Sequence, residues 1–198
     1  MIIIGLTGSI AMGKTETAKI FERLAVPVYN ADITVHELYA KYGAAVKPIG
    51  ELYPDVIVNG EVDRKKLSTK ILDNPGIVDQ IEKIVHPLVH EKQQEFITAS
   101  RQSGACLIVL DSPLLFETGS EGCVDKILVV TAPEDIQKSR ALERPGMTPE
   151  KLDLILSRQI PDEEKRAKAD YIVETHKGPE HAFHQVDEIV KSLITSQS

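Results

Sequence analysis

Residues 2–15 are Ile2-Ile3-Ile4-Gly5-Leu6-Thr7-Gly8-Ser9-Ile10-Ala11-Met12-Gly13-Lys14-Thr15, and they carry the strongest indication of fold class in the 198-residue chain. Its opening run is apolar and rich in β-branched residues, a pattern typical of a buried parallel strand. Glycines follow at once, and the apolar spacing over residues 14–24 then predicts an amphipathic helix. A strand, a glycine-rich turn and a helix in this order predict the start of a parallel α/β sheet.

The turn from Gly8 to Thr15 fits the pattern G-x-x-x-x-G-K-[ST] at every fixed position. Its backbone can curl so that successive N–H groups point at phosphate oxygens, and the helix start adds unpaired donors and a positive dipole end. Lys14 can reach the β- and γ-phosphates, and Thr15 can place its hydroxyl on Mg²⁺. A fortuitous glycine turn is the alternative, which the position between a strand and a helix disfavours. The loop therefore predicts a nucleoside triphosphate, without choosing among kinases, GTPases and ATPases.

Further short apolar runs predict the other strands of the sheet, at residues 26–30, 107–111, 126–131 and 171–174. Helices are predicted over 134–143, from the cap Thr148-Pro149-Glu150 through Leu156, and over 179–194. This alternation predicts a three-layer α/β fold of the P-loop NTPase type, with a short parallel five-stranded sheet covered on both faces. The terminal residues 196–198 are expected to be frayed.

The block from residue 32 to 103 is predicted to be a helical insertion without strands. Asp63 is a candidate N-cap, Pro75 and Pro87 are candidate first-turn prolines, and Val58-Asn59-Gly60 is a predicted turn between helices. The predicted domains are a nucleotide-binding core (1–31, 104–135 and 168–198), a helical acceptor-binding domain (32–103) and a helical lid (136–167).

The charge balance excludes some partners. Lys plus Arg is 23 and Asp plus Glu is 30, giving a formal net charge of −7, which argues against non-specific binding to nucleic acid or an anionic membrane. No run approaches the roughly 18 apolar residues of a membrane helix, the start lacks a basic signal region, and two cysteines are too few for a disulfide framework. We expect a cytoplasmic protein that is a monomer or a weak homo-oligomer.

Two carboxylates fit a small kinase, which needs an acceptor pocket and a carboxylate near the acceptor hydroxyl. A regulatory GTPase is disfavoured because the guanine-binding pattern N-K-x-D is absent from the sequence. Asp32 follows the second predicted strand at the carboxyl edge of the sheet and could accept a hydroxyl proton, although it could equally cap a helix. Asp111 ends the third predicted strand and could hold Mg²⁺; a strand-end turn is its alternative.

Arginines supply the other part of a kinase site. Arg140 and Arg144 lie four residues apart and are predicted to share a helical face, and Arg158 follows on the next predicted helix. Guanidinium groups in a helical flap can clamp phosphates and stabilise developing charge. The alternative is that they are solvated surface arginines.

Taken in order, several segments resemble the dephospho-coenzyme A kinase family. They are Ile4-Gly5-Leu6-Thr7-Gly8, Val26-Pro27-Val28-Tyr29-Asn30-Ala31-Asp32, Ile84-Val85-His86-Pro87, Asp111-Ser112-Pro113-Leu114-Leu115-Phe116-Glu117, Gln137-Lys138-Ser139-Arg140, Arg158-Gln159, Lys165 and Ala169-Asp170. The resemblance implies transfer of the γ-phosphoryl group of ATP to the ribose 3′-hydroxyl of dephospho-coenzyme A, with Mg²⁺. This is the last step of coenzyme A synthesis.

The resemblance also implies roles for individual residues. Asp32 is the implied catalytic base, assisted by Lys14 and Arg140. The implied acceptor-facing residues are Asp32, His86, Leu115 and Phe116, and the predicted metal-binding residues are Thr15 and Asp111. The predicted ATP-binding residues are Ser9, Ile10, Ala11, Met12, Gly13, Lys14, Thr15, Thr17 and Arg140.

The sequence departs from the family pattern at the loop. Ser9 and Ala11 stand where the family usually has glycine, Met12 stands where it has a small residue, and Asn30 stands where an acidic residue is common. A positive φ at Ala11 would cost on the order of 1 kcal/mol. A nucleoside or nucleoside-monophosphate kinase, and a nucleotide-dependent switch module, are the alternative functions.

Overall fold

The structure is a computed structural model that describes residues 1–195. The fraying expected of 196–198 therefore lies outside the described residues. The chain divides into two compact units, the first formed by Met1–Tyr29 and Ser100–Ser198 and the second by Asn30–Ala99. Within the described residues, no helix is both long and apolar enough to cross a bilayer.

The elements follow one another along the chain as strands, α-helices and two short 3₁₀ turns. Their order is β1 (Ile2–Thr7), α1 (Lys14–Arg23), β2 (Val28–Asn30), α2 (Ala31–Tyr39), α3 (Val46–Leu52), a 3₁₀ turn (Pro54–Val56), β3 (Ile57–Val58), β4 (Glu61–Val62), α4 (Arg64–Asp73), α5 (Ile77–Gln102), β5 (Leu107–Asp111), a 3₁₀ turn (Ser120–Cys123), β6 (Lys126–Thr131), α6 (Glu134–Leu142), α7 (Pro149–Leu156), α8 (Asp162–Ala167), β7 (Tyr171–Glu174) and α9 (Pro179–Thr195).

The described part of the first unit contains the predicted five-stranded sheet, in the order β2-β5-β1-β6-β7. β1 pairs in parallel with β5, placing Leu6 beside Asp111, and with β6, placing Thr7 beside Val129. β6 pairs in parallel with β7. The predicted fold class is therefore confirmed, and the carboxyl ends of β1 and β5 lie side by side.

The core of the first unit forms because the central strands are apolar on both faces. Ile4, Leu6 and Leu128 are fully buried, and α1 and α9 cover the sheet with apolar faces that include Phe21 and Val186. α7 begins as predicted: the Thr148 hydroxyl accepts a hydrogen bond from the Lys151 N–H, and a proline fills the first helical position.

In the second unit, the turn at Val58-Asn59-Gly60 was predicted wrongly. It connects two strands, β3 and β4, which pair in an antiparallel hairpin. Asn59 and Gly60 have φ values of 54° and 83°, the left-handed conformation that a two-residue hairpin turn with the strands' own twist requires. Two-residue strands are too short to show an alternating pattern in the sequence, so only the Asn-Gly pair indicated them.

Pro87 was also predicted wrongly, since it lies inside the long helix α5 rather than in a first turn. Ile77, Ile81 and Val85 are buried at helical spacing in the core of the second unit. Their burial favours a continuous helix despite the proline, which lacks an N–H for the carbonyl four residues earlier. Asp63 caps α4 as predicted, its carboxylate accepting hydrogen bonds from the N–H groups of residues 65 and 66.

Candidate active site

Two glycines of the loop between β1 and α1 are required by its geometry. A Cβ on Gly8 would lie 2.7 Å from the Val130 carbonyl oxygen, so only glycine lets the loop leave β1 this close to β6. Gly13 has a φ of 98°, and a Cβ there would lie 2.9 Å from the Thr175 Cγ2. Both fixed glycines of the sequence motif therefore have a steric cause in the fold.

Ala11, which stands where the family usually has glycine, has a positive φ of 62°. This conformation costs an L-residue about 1 kcal/mol. Its methyl group is buried against Ala141 and Leu152, from helices α6 and α7. Burial of one methyl group contributes about 0.8 kcal/mol, so packing largely offsets the strain.

The predicted ATP-binding side chains around the loop differ in exposure. Thr15 is exposed in the first turn of α1, whereas Ser9 and Met12 are buried. Thr17 is buried too, and its hydroxyl donates to the Gly13 carbonyl oxygen at 3.2 Å. Thr17 thus stabilises the start of α1, and Thr15 is the hydroxyl that a ligand could reach.

Lys14 and Asp111 form an ion pair at the edge where β1 and β5 end. The Lys14 Nζ lies 2.5 Å from the Asp111 Oδ1, and the Asp111 side chain is 0% exposed. A carboxylate this deeply buried would strongly destabilise the fold without a cation, and the Lys14 ammonium compensates its charge. The structure therefore places the predicted phosphate-binding lysine and the predicted metal-binding carboxylate in direct contact.

The donor types here fit Mg²⁺, which binds carboxylate and hydroxyl oxygens. Asp111 offers a carboxylate beside the loop and Thr15 an exposed hydroxyl. Over residues 1–195 no group of three or more His, Cys, Asp or Glu side chains converges into a metal-binding cluster.

Arg140 is half-buried on α6 and reaches the end of β7. Its Nη1 donates to the Thr175 hydroxyl at 2.9 Å, and its Nη2 donates to the Thr175 carbonyl oxygen at 3.1 Å. The Thr175 hydroxyl in turn donates to the carbonyl oxygen of Met12 in the loop, at 2.7 Å. Arg140 is thus connected through one threonine to the predicted phosphate loop.

The other two arginines of the predicted clamp lie differently. α6 ends at Leu142, so Arg144 falls in the exposed turn beyond it and does not share a helical face with Arg140 as predicted. The pair Pro145-Gly146 ends the helix early, because proline cannot continue it. Arg158 is exposed after the end of α7.

Two glutamines hold the loop residue Ile10 through side-chain hydrogen bonds, and no local pattern predicts these bonds. Gln137 on α6 donates its amide N–H to the Ile10 carbonyl oxygen at 2.9 Å. The Gln159 side-chain oxygen accepts the Ile10 N–H at 3.1 Å. Both glutamines belong to segments that resemble the family, Gln137-Lys138-Ser139-Arg140 and Arg158-Gln159, but nothing local marks either side chain as bonded to the loop.

The segment after β5 is anchored to α8 by a buried ion pair. The Glu117 Oε1 lies 2.8 Å from the Nζ of Lys165, which is 0% exposed, and accepts the Ile160 N–H at 2.9 Å. Burial alone would raise the pKa of the Glu117 carboxyl, but the hydrogen bonds from Lys165 and Ile160 outweigh burial and hold this pKa below its ordinary value. The Glu117 carboxyl is therefore ionised at neutral pH.

Leu115 and Phe116, which the resemblance implies face the acceptor, are buried in the first unit, at 2% and 6% exposed. The Lys168 Nζ lies 5.3 Å from the Phe116 ring centroid, within cation–π range. Their side chains present little surface in this conformation.

In the second unit, Asp32 lies exposed in the first turn of α2. Its alternative as the helix cap is wrong: the cap is Asn30, whose side-chain oxygen accepts the Ile33 N–H at 2.9 Å. The amide that stands where the family commonly has an acid therefore serves as the cap of α2. His86 is exposed on α5.

Comparisons with known proteins agree on one family. The sequence model of the dephospho-CoA kinase family matches residues 2–180. The dephospho-CoA kinase of Mesorhizobium japonicum is 48% identical over 193 residues, covering 98% of this chain and 97% of the relative. That of Agrobacterium fabrum is 49% identical, with 98% of each chain covered.

Solved structures agree with the fold. The crystal structure of a Thermus thermophilus protein superposes with a TM-score of 0.84 at 29% identity, covering 96% of each chain. A dephospho-CoA kinase from Campylobacter jejuni superposes with a TM-score of 0.69 at 20% identity, also over 96% of each chain. A shikimate kinase from Bacteroides thetaiotaomicron, at 18% identity and a TM-score of 0.51, has the same fold and covers 96% of this chain and 98% of its own.

Proposed function

Because the chain belongs to the dephospho-CoA kinase family, we propose that it transfers the γ-phosphoryl group of ATP to the ribose 3′-hydroxyl of dephospho-CoA, giving coenzyme A. The observation that carries this proposal is the loop Gly8–Thr15, with Lys14 held beside it by a buried carboxylate. A cytoplasmic location and a monomeric or weakly associated state stay predictions.

The loop and its neighbours neutralise the triphosphate. Backbone N–H groups at the start of α1 and the Lys14 ammonium lie where phosphate oxygens would be bound. Arg140 adds a planar guanidinium that can contact two phosphate oxygens at once. Since phosphoryl transfer demands little covalent chemistry from the protein, positioning and charge stabilisation supply most of the rate gain.

Thr15 and Asp111 are the residues proposed to hold Mg²⁺. If bound there, the ion would supply positive charge that offsets the negative charge of the phosphate oxygens. The ion pair with Lys14 compensates the charge of the buried Asp111 carboxylate at the edge of the sheet.

Asp32 is the proposed base for the acceptor. Its exposed carboxylate accepts the proton of the ribose 3′-hydroxyl as the oxygen forms its bond to phosphorus and ADP leaves. His86, Leu115 and Phe116 are proposed to face the acceptor. For Leu115 and Phe116 this role requires a movement that uncovers them, because both are buried.

The proposed domains divide the work. Residues 1–31, 104–135 and 168–198 hold the nucleotide, residues 32–103 hold dephospho-CoA, and residues 136–167 form a lid that excludes water. The bonds from Gln137 and Gln159 to Ile10 support a lid that acts on the phosphate loop.

The test is phosphoryl transfer from γ-labelled ATP to separate acceptors: dephospho-CoA, its 3′-deoxy analogue, AMP, CMP and shikimate. We expect labelled coenzyme A from dephospho-CoA and no transfer to the 3′-deoxy analogue, because the accepting hydroxyl is missing. Faster transfer to a nucleoside monophosphate would identify another kinase. Slow hydrolysis that no acceptor stimulates would indicate the switch module.

A further inference from the structure

Thr175, the residue directly after β7, contacts both the phosphate loop and Arg140, and no motif in the sequence marks it. We propose that Thr175 is a positioning residue for ATP: it orients the Met12–Gly13 peptide of the loop and holds the Arg140 guanidinium beside it. The role of Arg140 toward ATP belongs to the proposed function, so this inference rests on it.

The distances around the Thr175 hydroxyl show to which partner it donates and from which partner it accepts a hydrogen bond. A hydroxyl has one proton to donate, and the Met12 carbonyl oxygen at 2.7 Å is closer than the Thr131 carbonyl oxygen at 3.5 Å. The proton therefore goes to Met12, and a lone pair accepts the Arg140 Nη1 at 2.9 Å. One hydroxyl thus donates to the loop and accepts from the arginine.

The bond to Met12 determines where the next N–H points. In a planar trans peptide the C=O and the N–H point in opposite directions. Because the Met12 carbonyl is tied to Thr175, the Gly13 N–H is directed to the side of the loop opposite Thr175. That N–H belongs to the segment of the motif whose amides cradle phosphates.

The Arg140 guanidinium is held at two points and keeps donors to spare. Nη1 bonds the hydroxyl of Thr175 and Nη2 bonds its carbonyl oxygen, at 2.9 and 3.1 Å. A guanidinium has five N–H donors, so these two bonds leave three for an anion. A side chain restrained in this way loses less conformational freedom on binding ATP than an unrestrained arginine would.

The position of Thr175 itself is fixed by the sheet. Its backbone N–H donates to the Thr131 carbonyl oxygen at 3.0 Å, which continues the pairing of β6 with β7. Its Cγ2 lies against Gly13, where a Cβ would come within 2.9 Å. Because Thr175 is bonded to the sheet and packs against the loop, it can hold the loop and Arg140 in a fixed position relative to the sheet.

The experiment compares Thr175→Val, which keeps the shape but has no hydroxyl, with Thr175→Ser, which keeps the hydroxyl. Thr175→Val should lower kcat/KM for ATP by about 10- to 100-fold, the effect of losing hydrogen bonds to a charged group and to the loop. The KM for dephospho-CoA should change less than about threefold, and Thr175→Ser should restore most of kcat/KM. Thr195→Val, an exposed threonine at the end of α9, is the matched control.

A double-mutant cycle with Arg140→Ala separates positioning from general destabilisation. If Thr175 acts through Arg140, part of the effect of Thr175→Val disappears in the Arg140→Ala background. Fully additive effects, or wild-type kcat/KM for ATP in Thr175→Val, would overturn the proposal. Thr175→Ala, which adds no second methyl group next to Arg140, replaces the valine variant if that one does not fold.

ATP affinity, measured by calorimetry on the same variants, distinguishes the two possible failures. If the wild-type chain binds ATP but does not phosphorylate dephospho-CoA, the proposed function fails while the loss of ATP affinity in Thr175→Val still tests the positioning role. If phosphorylation proceeds and Thr175→Val binds and uses ATP like the wild type, only the inference about Thr175 fails.

Discussion

Asp32 differs from the other proposed catalytic groups because nothing in its own unit requires it for folding. Asn30 caps α2, and Asp32 is exposed one position into the helix. Lys14 and Arg140, in contrast, are both engaged by other residues of the first unit. An exposed acid in the first turn of a helix stabilises that helix by only about 0.3–1 kcal/mol, so the removal of the Asp32 carboxylate should leave the fold intact.

We therefore predict that Asp32→Asn keeps the wild-type ATP affinity and fold while kcat falls by about 100-fold or more, the usual contribution of a general base. Steady-state kinetics and ATP titration by calorimetry check this. The matched control is Asp79→Asn, an exposed acid in the first turn of α5 in the same unit. An Asp32→Asn enzyme with wild-type kcat would contradict the assignment.

The positions of individual side chains could be predicted from the sequence where they belong to one continuous motif. The spacing of the loop predicted the placement of Lys14 and Thr15 between a strand and a helix. The bond from Thr175 to Met12 joins residues 163 positions apart, and the bond from Ile10 to Gln159 joins residues 149 apart. No local pattern encodes such pairs, because they depend on how the strands are ordered in the sheet.

The helix α5 shows how packing overrides a local signal. Its proline lies where apolar residues at helical spacing are buried on both sides of it along the chain, so the helix continues with one backbone hydrogen bond missing. The hairpin of β3 and β4 shows the opposite case, in which a two-residue turn signal was present but the strands were too short to be recognised. The strands β5, β6 and β7, whose apolar patterns are longer, were predicted with their observed bounds.

Pro87 is exposed, so its replacement by alanine opens no cavity. We predict that Pro87→Ala raises the free energy of unfolding by about 2 kcal/mol, because the helix regains a hydrogen bond and loses a steric conflict. Urea unfolding at neutral pH measures the change. Pro149→Ala is the control: that proline is at the first position of α7, where proline is favoured, and its loss should not stabilise. Equal effects of both variants would refute the explanation.

The ion pair between Glu117 and Lys165 connects the segment after β5 to α8. We predict that Glu117→Gln lowers the free energy of unfolding at pH 7 by about 3 kcal/mol, because Lys165 remains buried without its anion. The pKa of Glu117 is lowered in the folded state, so its contribution is present above the ordinary value of 4.5 and is lost as the pH falls below it.

Urea unfolding of the wild type and Glu117→Gln between pH 7 and pH 3 tests both parts. The difference between the two proteins should shrink below about pH 4.5. Glu95→Gln removes an exposed ion pair with Lys92 and should change stability little at any of these pH values. A difference that stays constant down to pH 3 would show that the carboxylate charge is not the cause.

Taken together, the two units separate the proposed tasks: the first holds the phosphate loop, Lys14 and Arg140, and the second holds Asp32 and His86. A ligand that binds only the folded protein raises its stability by an amount set by its concentration and Kd. Variants of the phosphate loop and of the proposed base can therefore be compared through the rise in Tm that ATP causes in each of them.

We predict that ATP at about 100 times its Kd raises the Tm of the wild type by roughly 5–10 °C. Asp32→Asn should show the same rise, whereas Lys14→Ala should show almost none at that ATP concentration. The shift is compared rather than the absolute Tm, because Lys14→Ala also removes an ion pair. Lys19 is an exposed lysine on the same helix, so Lys19→Ala should show the full ATP-induced rise in Tm. If Lys19→Ala also lost this rise, the effect of Lys14→Ala would not be specific to the loop.

The strand order of the sheet has a consequence for how the chain is made. β1 leaves the ribosome well before both of its neighbours, β5 and β6, which begin only at Leu107 and Lys126. At the usual rate of synthesis this leaves the Ile2–Thr7 strand unpaired for on the order of 5 to 20 s. The nascent nucleotide-binding half must wait for the rest of the polypeptide, and during that interval an apolar strand edge is exposed to chaperones and to other unfolded chains.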